Sequence, residues 1–187
     1  MQQELADFDV VAKSIPSITL ISDAKIRSDT AVVFMQLLRE SKWPNLEKQQ
    51  MLPILAISGM EHVNAVVEMC LAIADILKKR HNVVINIDYL ISGAILHDAS
   101  KLVEFEPTNN GERKTKIGDL VQHTVRCVSL MLDRKMPEEI AHVVVSHTPQ
   151  SRTAPKTIES IILYFIDSID YSVMRVKLGL GSDIQKT

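Results

Sequence analysis

Residues 87–101 read IDYLISGAILHDASK, and the rest of the chain is best understood from them. Ile87, Leu90, Ala94 and His97 recur at spacings of three and four, which puts them on one face of a helix, with Gly93 beside them. The pattern predicts an apolar helix that ends in an adjacent histidine and aspartate. On a helix, neighbouring side chains diverge by about 100°, so His97 and Asp98 can bracket one ion from two sides. Lys101 follows Asp98 by three residues and His97 by four, and shares their face if the helix continues.

Upstream, Val63, Val66, Val67, Cys70, Ala74 and Leu77 form the stripe of a longer helix. It ends in Lys78-Lys79-Arg80, cations that suit the negative end of a helix dipole. His62 lies one turn before Val66. Downstream, residues 103–116 (VEFEPTNNGERKTK) are polar and turn-rich and predict a surface loop. A third helix is predicted from about Ile117 to Asp133, placing His123 on a face with Leu120, Cys127 and Leu130. A fourth opens at Pro137 and carries His147 behind Ile140, Val143 and Val144. After TPQSRTAPK a fifth covers about Thr157 to Val176, and glycines 179 and 181 lead into a polar tail.

The first 57 residues predict a helical extension without histidine, assigned to packing or self-association, ahead of a metal-binding domain over 58–187. In that extension Ser22 or Asp23 caps a helix through AVVFMQLLRE, which stops near Lys42-Trp43-Pro44. A short helix is predicted from about Leu46 to Leu55.

The chain has 187 residues, 46% of them hydrophobic and 24% charged, enough apolar material for one folded domain. Six glycines, seven prolines and 4% aromatics, against abundant Leu, Ile, Val, Ala and Met, favour an all-α fold over a sandwich or barrel. A formal charge of −2 supplies no whole-molecule field to recruit nucleic acid or an anionic membrane. Cys70 and Cys127 fall inside apolar stripes and read as buried thiols of a reducing compartment. The first residues lack the basic-then-apolar order of a signal peptide, and no apolar run approaches bilayer length, so a cytoplasmic protein is expected.

A single histidine on an apolar stripe reads more readily as a hydrogen-bonded core residue than as a ligand. His62, His97, His123 and His147, on four separate helices, are harder to explain that way. Carboxylates add to the case. Asp167 and Asp170 interrupt IESIILYFIDSIDYSVM, a segment apolar on nearly every side, which predicts a buried central helix. Burying an uncompensated carboxylate costs several kcal/mol or forces it neutral. No Lys or Arg lies within a turn of Asp167, so a divalent cation is the natural counter-charge, although a protonated or water-solvated carboxylate would also satisfy burial. Imidazole with carboxylate and no thiolate suits Mn, Fe, Ni, Co or Zn, and Mg less well.

His62, the doublet His97-Asp98 inside ILHDASKL, and Asp167 in ILYFIDSID resemble the H…HD…D signature of HD-domain phosphohydrolases over roughly residues 58 to 176. The resemblance implies a bundle of about five core helices with His62, His97, Asp98 and Asp167 as metal ligands. In some branches two further histidines hold a second ion, and His123 and His147 match their order, so one or two divalent ions are implied. Departures are Ile166 where the last motif commonly has Ala, Val121-Gln122 where a glycine often precedes the third histidine, and no Gly-Tyr-Pro signature of cyclic di-GMP phosphodiesterases.

The implied reaction is hydrolysis of a phosphate ester or anhydride in a nucleotide or related small phosphate compound by metal-activated water. Asp98 would orient that water with a spare oxygen. Lys101 would stabilise phosphate charge, unless it is a solvated lysine at a helix end. Arg113, Lys114 and Lys116, with Arg152 and Lys156, could funnel a polyanion, and Asp170 could bind a ribose hydroxyl, support a ligand histidine or face solvent. Competing readings are a non-catalytic HD module that binds a nucleotide as a sensor, and a nucleic-acid phosphodiesterase. The acidic balance disfavours the latter.

Overall fold

The computed structural model describes residues 2–46 and 58–181, and among them the fold is helical apart from one small hairpin. The helices are α1 (Gln2–Ser14), α2 (Ala24–Glu40), α3 (Gly59–His81), α4 (Ile87–Leu96), α5 (Lys101–Glu104), α6 (Lys116–Leu120), α7 (Thr124–Asp133), α8 (Glu138–Val145) and α9 (Ile158–Lys177), with a 3₁₀ turn over Pro16–Leu20. Most of the helix predicted over Leu46 to Leu55 lies outside the described residues.

Local chemistry sets the helix ends. The Asp23 carboxylate accepts from the amides of Lys25 and Ile26 and so starts α2. Ser58 and Glu61 cap each other's backbone at the start of α3, and Thr157 and Ser160 do the same for α9. At the far end of α3 the cations Lys78, Lys79 and Arg80 precede Asn82, which takes the left-handed conformation (φ 53°).

The helix at the centre is α4, whose residues from Leu90 to Leu96 are all buried. It packs against α3, α8, α9 and α2. Gly93 permits a close approach to α8: a Cβ there would lie 2.3 Å from Cγ1 of Val143. The expectation that the helix bearing Asp167 is central is corrected. α9 buries Ile162, Leu163 and Ile166 but leaves Ile161, Phe165, Ile169 and Val173 exposed along its outer side. Its all-round apolarity therefore does not reflect all-round burial.

Two further expectations change. Residues 103–116 are not a plain loop. Phe105–Thr108 (β1) and Gly111–Lys114 (β2) pair antiparallel across a two-residue turn, with Gly111 at φ 122° where a side chain is strained. The single helix expected from Ile117 to Asp133 is two helices, α6 and α7, broken at residues 121–123, where Val121 is extended. Neighbouring contacts hold this break. Gly118 lies so close to the Glu104 carbonyl that a Cβ would meet its oxygen at 2.3 Å. Ser100 Oγ accepts from the Cys127 amide at 2.9 Å, satisfying an early N–H of α7.

Polar contacts tie the N-terminal helices to each other and to this assembly. Thr30 and Ser92 share a hydroxyl hydrogen bond of 2.7 Å between α2 and α4. Arg134, at the end of α7, donates to Asp29 on α2 at 2.7 Å, and Arg39 on α2 pairs with buried Asp7 on α1.

Candidate metal centre

Helix ends and first turns bring the predicted residues together. His62 projects from the first turn of α3, His97 and Asp98 follow the last residue of α4, His123 lies in the break before α7, His147 follows α8, and Asp167 stands midway along α9. Their rings form a chain, with centroids 5.3 Å apart for His62 and His97, 4.9 Å for His97 and His147, and 5.2 Å for His123 and His147.

Nitrogen directions fit a shared cation. His97 Nδ1 donates to the Ala94 carbonyl at 2.7 Å, and His147 Nδ1 to the Val144 carbonyl at 2.6 Å. Each bond turns Nε2 inward. His62 Nδ1 is 2.6 Å from Oδ2 of Asp170, and its Nε2 is 3.2 Å from Nε2 of His97 and 3.2 Å from Oδ1 of Asp167. Two nitrogens each about 2.1 Å from one ion stand roughly 3–3.5 Å apart, so this spacing suits common ligation. His123 Nε2 and His147 Nε2 repeat it at 3.4 Å.

Asp98 lies between the two pairs. Its Oδ2 is 3.6 Å from His62 Nε2 and 3.5 Å from His97 Nε2, while Oδ1 is 3.9 Å from His123 Nε2 and 3.6 Å from His147 Nε2. Among the described residues two groups can therefore hold an ion, His62/His97/Asp98 and Asp98/His123/His147. Asp167 adds a carboxylate to the first, with Oδ1 3.7 Å from His97 Nε2. The spare oxygen expected on Asp98 is not there: one faces each histidine pair, and Oδ2 also accepts from Lys101 Nζ at 2.6 Å.

Electrostatics favour an acceptor site for cations. Burial holds His97 and His123 neutral, each lowered to about 4. Burial also opposes charge on His62, but hydrogen bonds to Asp167 and Asp170 outweigh it and raise that imidazole to about 9. Asp98 is desolvated, yet Lys101 and the surrounding imidazoles hold its carboxyl well below the ordinary range. Asp167 is lowered in the same way, against burial, mainly by His62. Ionised carboxylates and neutral imidazoles ligate metal, so Asp98, Asp167, His97 and His123 stand ready, whereas His62 must first lose a proton.

Lys101 reaches Asp98 although the chain makes a turn over residues 97–100 before α5 begins. The loop cations are exposed, and two are already paired, Arg113 with Glu106 at 2.6 Å and Lys114 with Glu104 at 3.3 Å. Asp170 faces His62 rather than solvent. Its spacing of three from Asp167 was the signal, since it places both carboxylates on one side of α9.

Fold and site together define a helical protein whose histidine–aspartate cluster could hold a metal ion. The HD domain family model matches residues 59–172, and the chain belongs to that family, whose members bind divalent metals. Dihydroneopterin 2',3'-cyclic phosphate phosphodiesterase of Methanocaldococcus jannaschii is 30% identical over 115 residues, 61% of this chain and 46% of that protein. The aligned part thus spans a little under half the length of that curated relative. No solved structure gives a significant match. Among the described residues no helix is long and apolar enough to cross a membrane.

Proposed function

We propose that this protein is a metal-dependent phosphohydrolase acting on a phosphate ester or anhydride of a nucleotide-like small molecule, with a cyclic phosphodiester as the first substrate class to test. One observation carries the reading: Asp98 offers one oxygen to His62 and His97 and the other to His123 and His147, an arrangement suited to bridging two cations. The similarity to a cyclic phosphate phosphodiesterase supports the substrate class.

In this reading His62, His97, Asp98 and Asp167 hold one divalent ion, and Asp98, His123 and His147 hold a second. Mn, Fe, Ni, Co and Zn suit the mixed nitrogen and oxygen donors better than Mg. Bound metal supplies Lewis acidity and lowers the pKa of coordinated water. The chain supplies the rest. Asp98 sets the separation of the two halves, and Lys101, shielded from solvent beside it, offsets phosphate charge as the ester oxygen leaves. Residues 58–187 form the proposed metal-binding unit, residues 1–57 an extension through which copies could associate, and a cytoplasmic location is part of the same reading.

The test is a hydrolysis screen of 2',3'-cyclic nucleotides and simple phosphomonoesters with each metal, comparing wild type with Asp98→Ala. Metal-dependent turnover that disappears in the variant supports the proposal. Turnover indifferent to the substitution sinks it. Tight nucleotide binding without turnover would favour a sensor.

A further inference from the structure

The histidines of the centre are not oriented alike. His97 and His147 each donate Nδ1–H to the carbonyl three residues earlier, at 2.7 and 2.6 Å, so the turn that carries the ring also aims it. His62 belongs to the first turn of α3, and its Nδ1 partner comes from elsewhere: Oδ2 of Asp170, 108 residues along the chain, at 2.6 Å. The His62 side chain is fully buried and that of Asp170 is 17% exposed, so bulk water is a poor substitute on the imidazole side.

We infer that Asp170 is a positioning residue: it fixes His62 in the Nδ1–H tautomer, with the Nε2 lone pair directed at His97 and Asp167, and so makes the His62 half of the centre the tighter one. A carboxylate accepts more strongly than a carbonyl and leaves the imidazole a better donor to metal. Asp170 and Asp167 lie one turn apart on α9, so a single helix both supplies a ligand and aims another on α3. The other half has no such asset, because His147 relies on a carbonyl. This inference rests on the metal-centre reading, although the tautomer of His62 can be examined without metal.

The test uses the full chain, wild type, Asp170→Ala and Asp170→Asn. Calorimetric titration with Mn²⁺ over a pH series, with affinities corrected for the proton His62 must lose, is expected to show the tighter step weakened about 10–100-fold in Asp170→Ala, with Asp170→Asn between it and wild type because the amide oxygen still accepts, and the weaker step unchanged. Nitrogen NMR of the metal-free proteins at alkaline pH, where imidazoles are neutral, is expected to give the Nδ1–H tautomer for His62 in wild type and a mixture in Asp170→Ala. Wild-type Mn²⁺ affinity in Asp170→Ala, or equal weakening of both steps, would overturn the inference. So would an unchanged tautomer. If wild type takes up no Mn²⁺, the claim of a tighter half falls with the metal reading, while the nitrogen spectra still decide whether Asp170 orients His62.

Discussion

Lys101 holds its ammonium 2.6 Å from Oδ2 of Asp98, and both side chains are largely shielded from solvent. The pair places a fixed positive charge at the edge of the centre. It also makes Lys101 a competitor of any cation for that oxygen. Its two proposed effects therefore have opposite signs. Lys101→Met is expected to lower kcat by about 10²–10³, as for loss of one transition-state donor, without weakening metal binding. Steady-state kinetics at saturating Mn²⁺ beside direct metal titration checks both. A loss of affinity that accounts for the loss of rate would refute the assignment.

Because Asp98 faces both histidine pairs, substitution there and substitution at one end should differ in kind. Asp98→Ala is expected to abolish both metal-binding steps. His123→Ala should remove one and leave the step that uses His62 and His97. Metal stoichiometry by elemental analysis distinguishes them, and a single unaltered ion in Asp98→Ala would exclude the bridging arrangement.

In the proposed centre His62 is expected to give metal uptake a pH dependence. Burial opposes its charge, but Asp167 and Asp170 raise it to about 9, so in the metal-free protein it is protonated at neutral pH. A raised pKa means that its contribution to stability is fully present below the unfolded imidazole value of about 6.5 and is lost as pH rises through about 9. An ion at Nε2 must displace that proton. Apparent affinity should therefore rise nearly tenfold per pH unit from about 7 towards 9, with close to one proton released per ion at that half. Calorimetry in buffers of different ionisation heat measures the release, and pH-independent binding would contradict it.

Gly93 tests how the scaffold aims the centre. Gly93→Ala forces a methyl against Val143 where α4 and α8 touch, at an expected cost of about 1–3 kcal/mol in thermal or denaturant unfolding. His97 follows α4 and His147 follows α8, so the displacement should also reduce metal affinity. Stability equal to wild type would show that the helices separate without penalty.

Much of this centre was legible in the sequence because its signals are local. The His97-Asp98 doublet, the apolar stripe before it and the cap at Asp23 each depend on neighbours within a turn. What escaped depends on contacts between distant segments. The break at residues 121–123 follows from Gly118 against the Glu104 carbonyl and from Ser100 reaching the Cys127 amide, neither of which a helical stripe records. The Thr108–Gly111 turn did carry Asn109-Asn110-Gly111, a hairpin signal outweighed by the polarity of its surroundings. Apolar residues around α9 suggested a core helix, but periodicity does not distinguish a buried face from a bare one. Asp170 stayed ambiguous because its partner lies 108 residues away.

That separation has a consequence for assembly. The half of the centre built on His62 exists only once the beginning and the end of the helical bundle have closed on each other, whereas Asp98, His123 and His147 come from a nearer stretch. A nascent or clipped chain ending before α9 would keep the second donor set and lack Asp167 and Asp170. In the proposed centre, full metal occupancy would report that the last long helix has docked, which would make the ion a witness to completed folding.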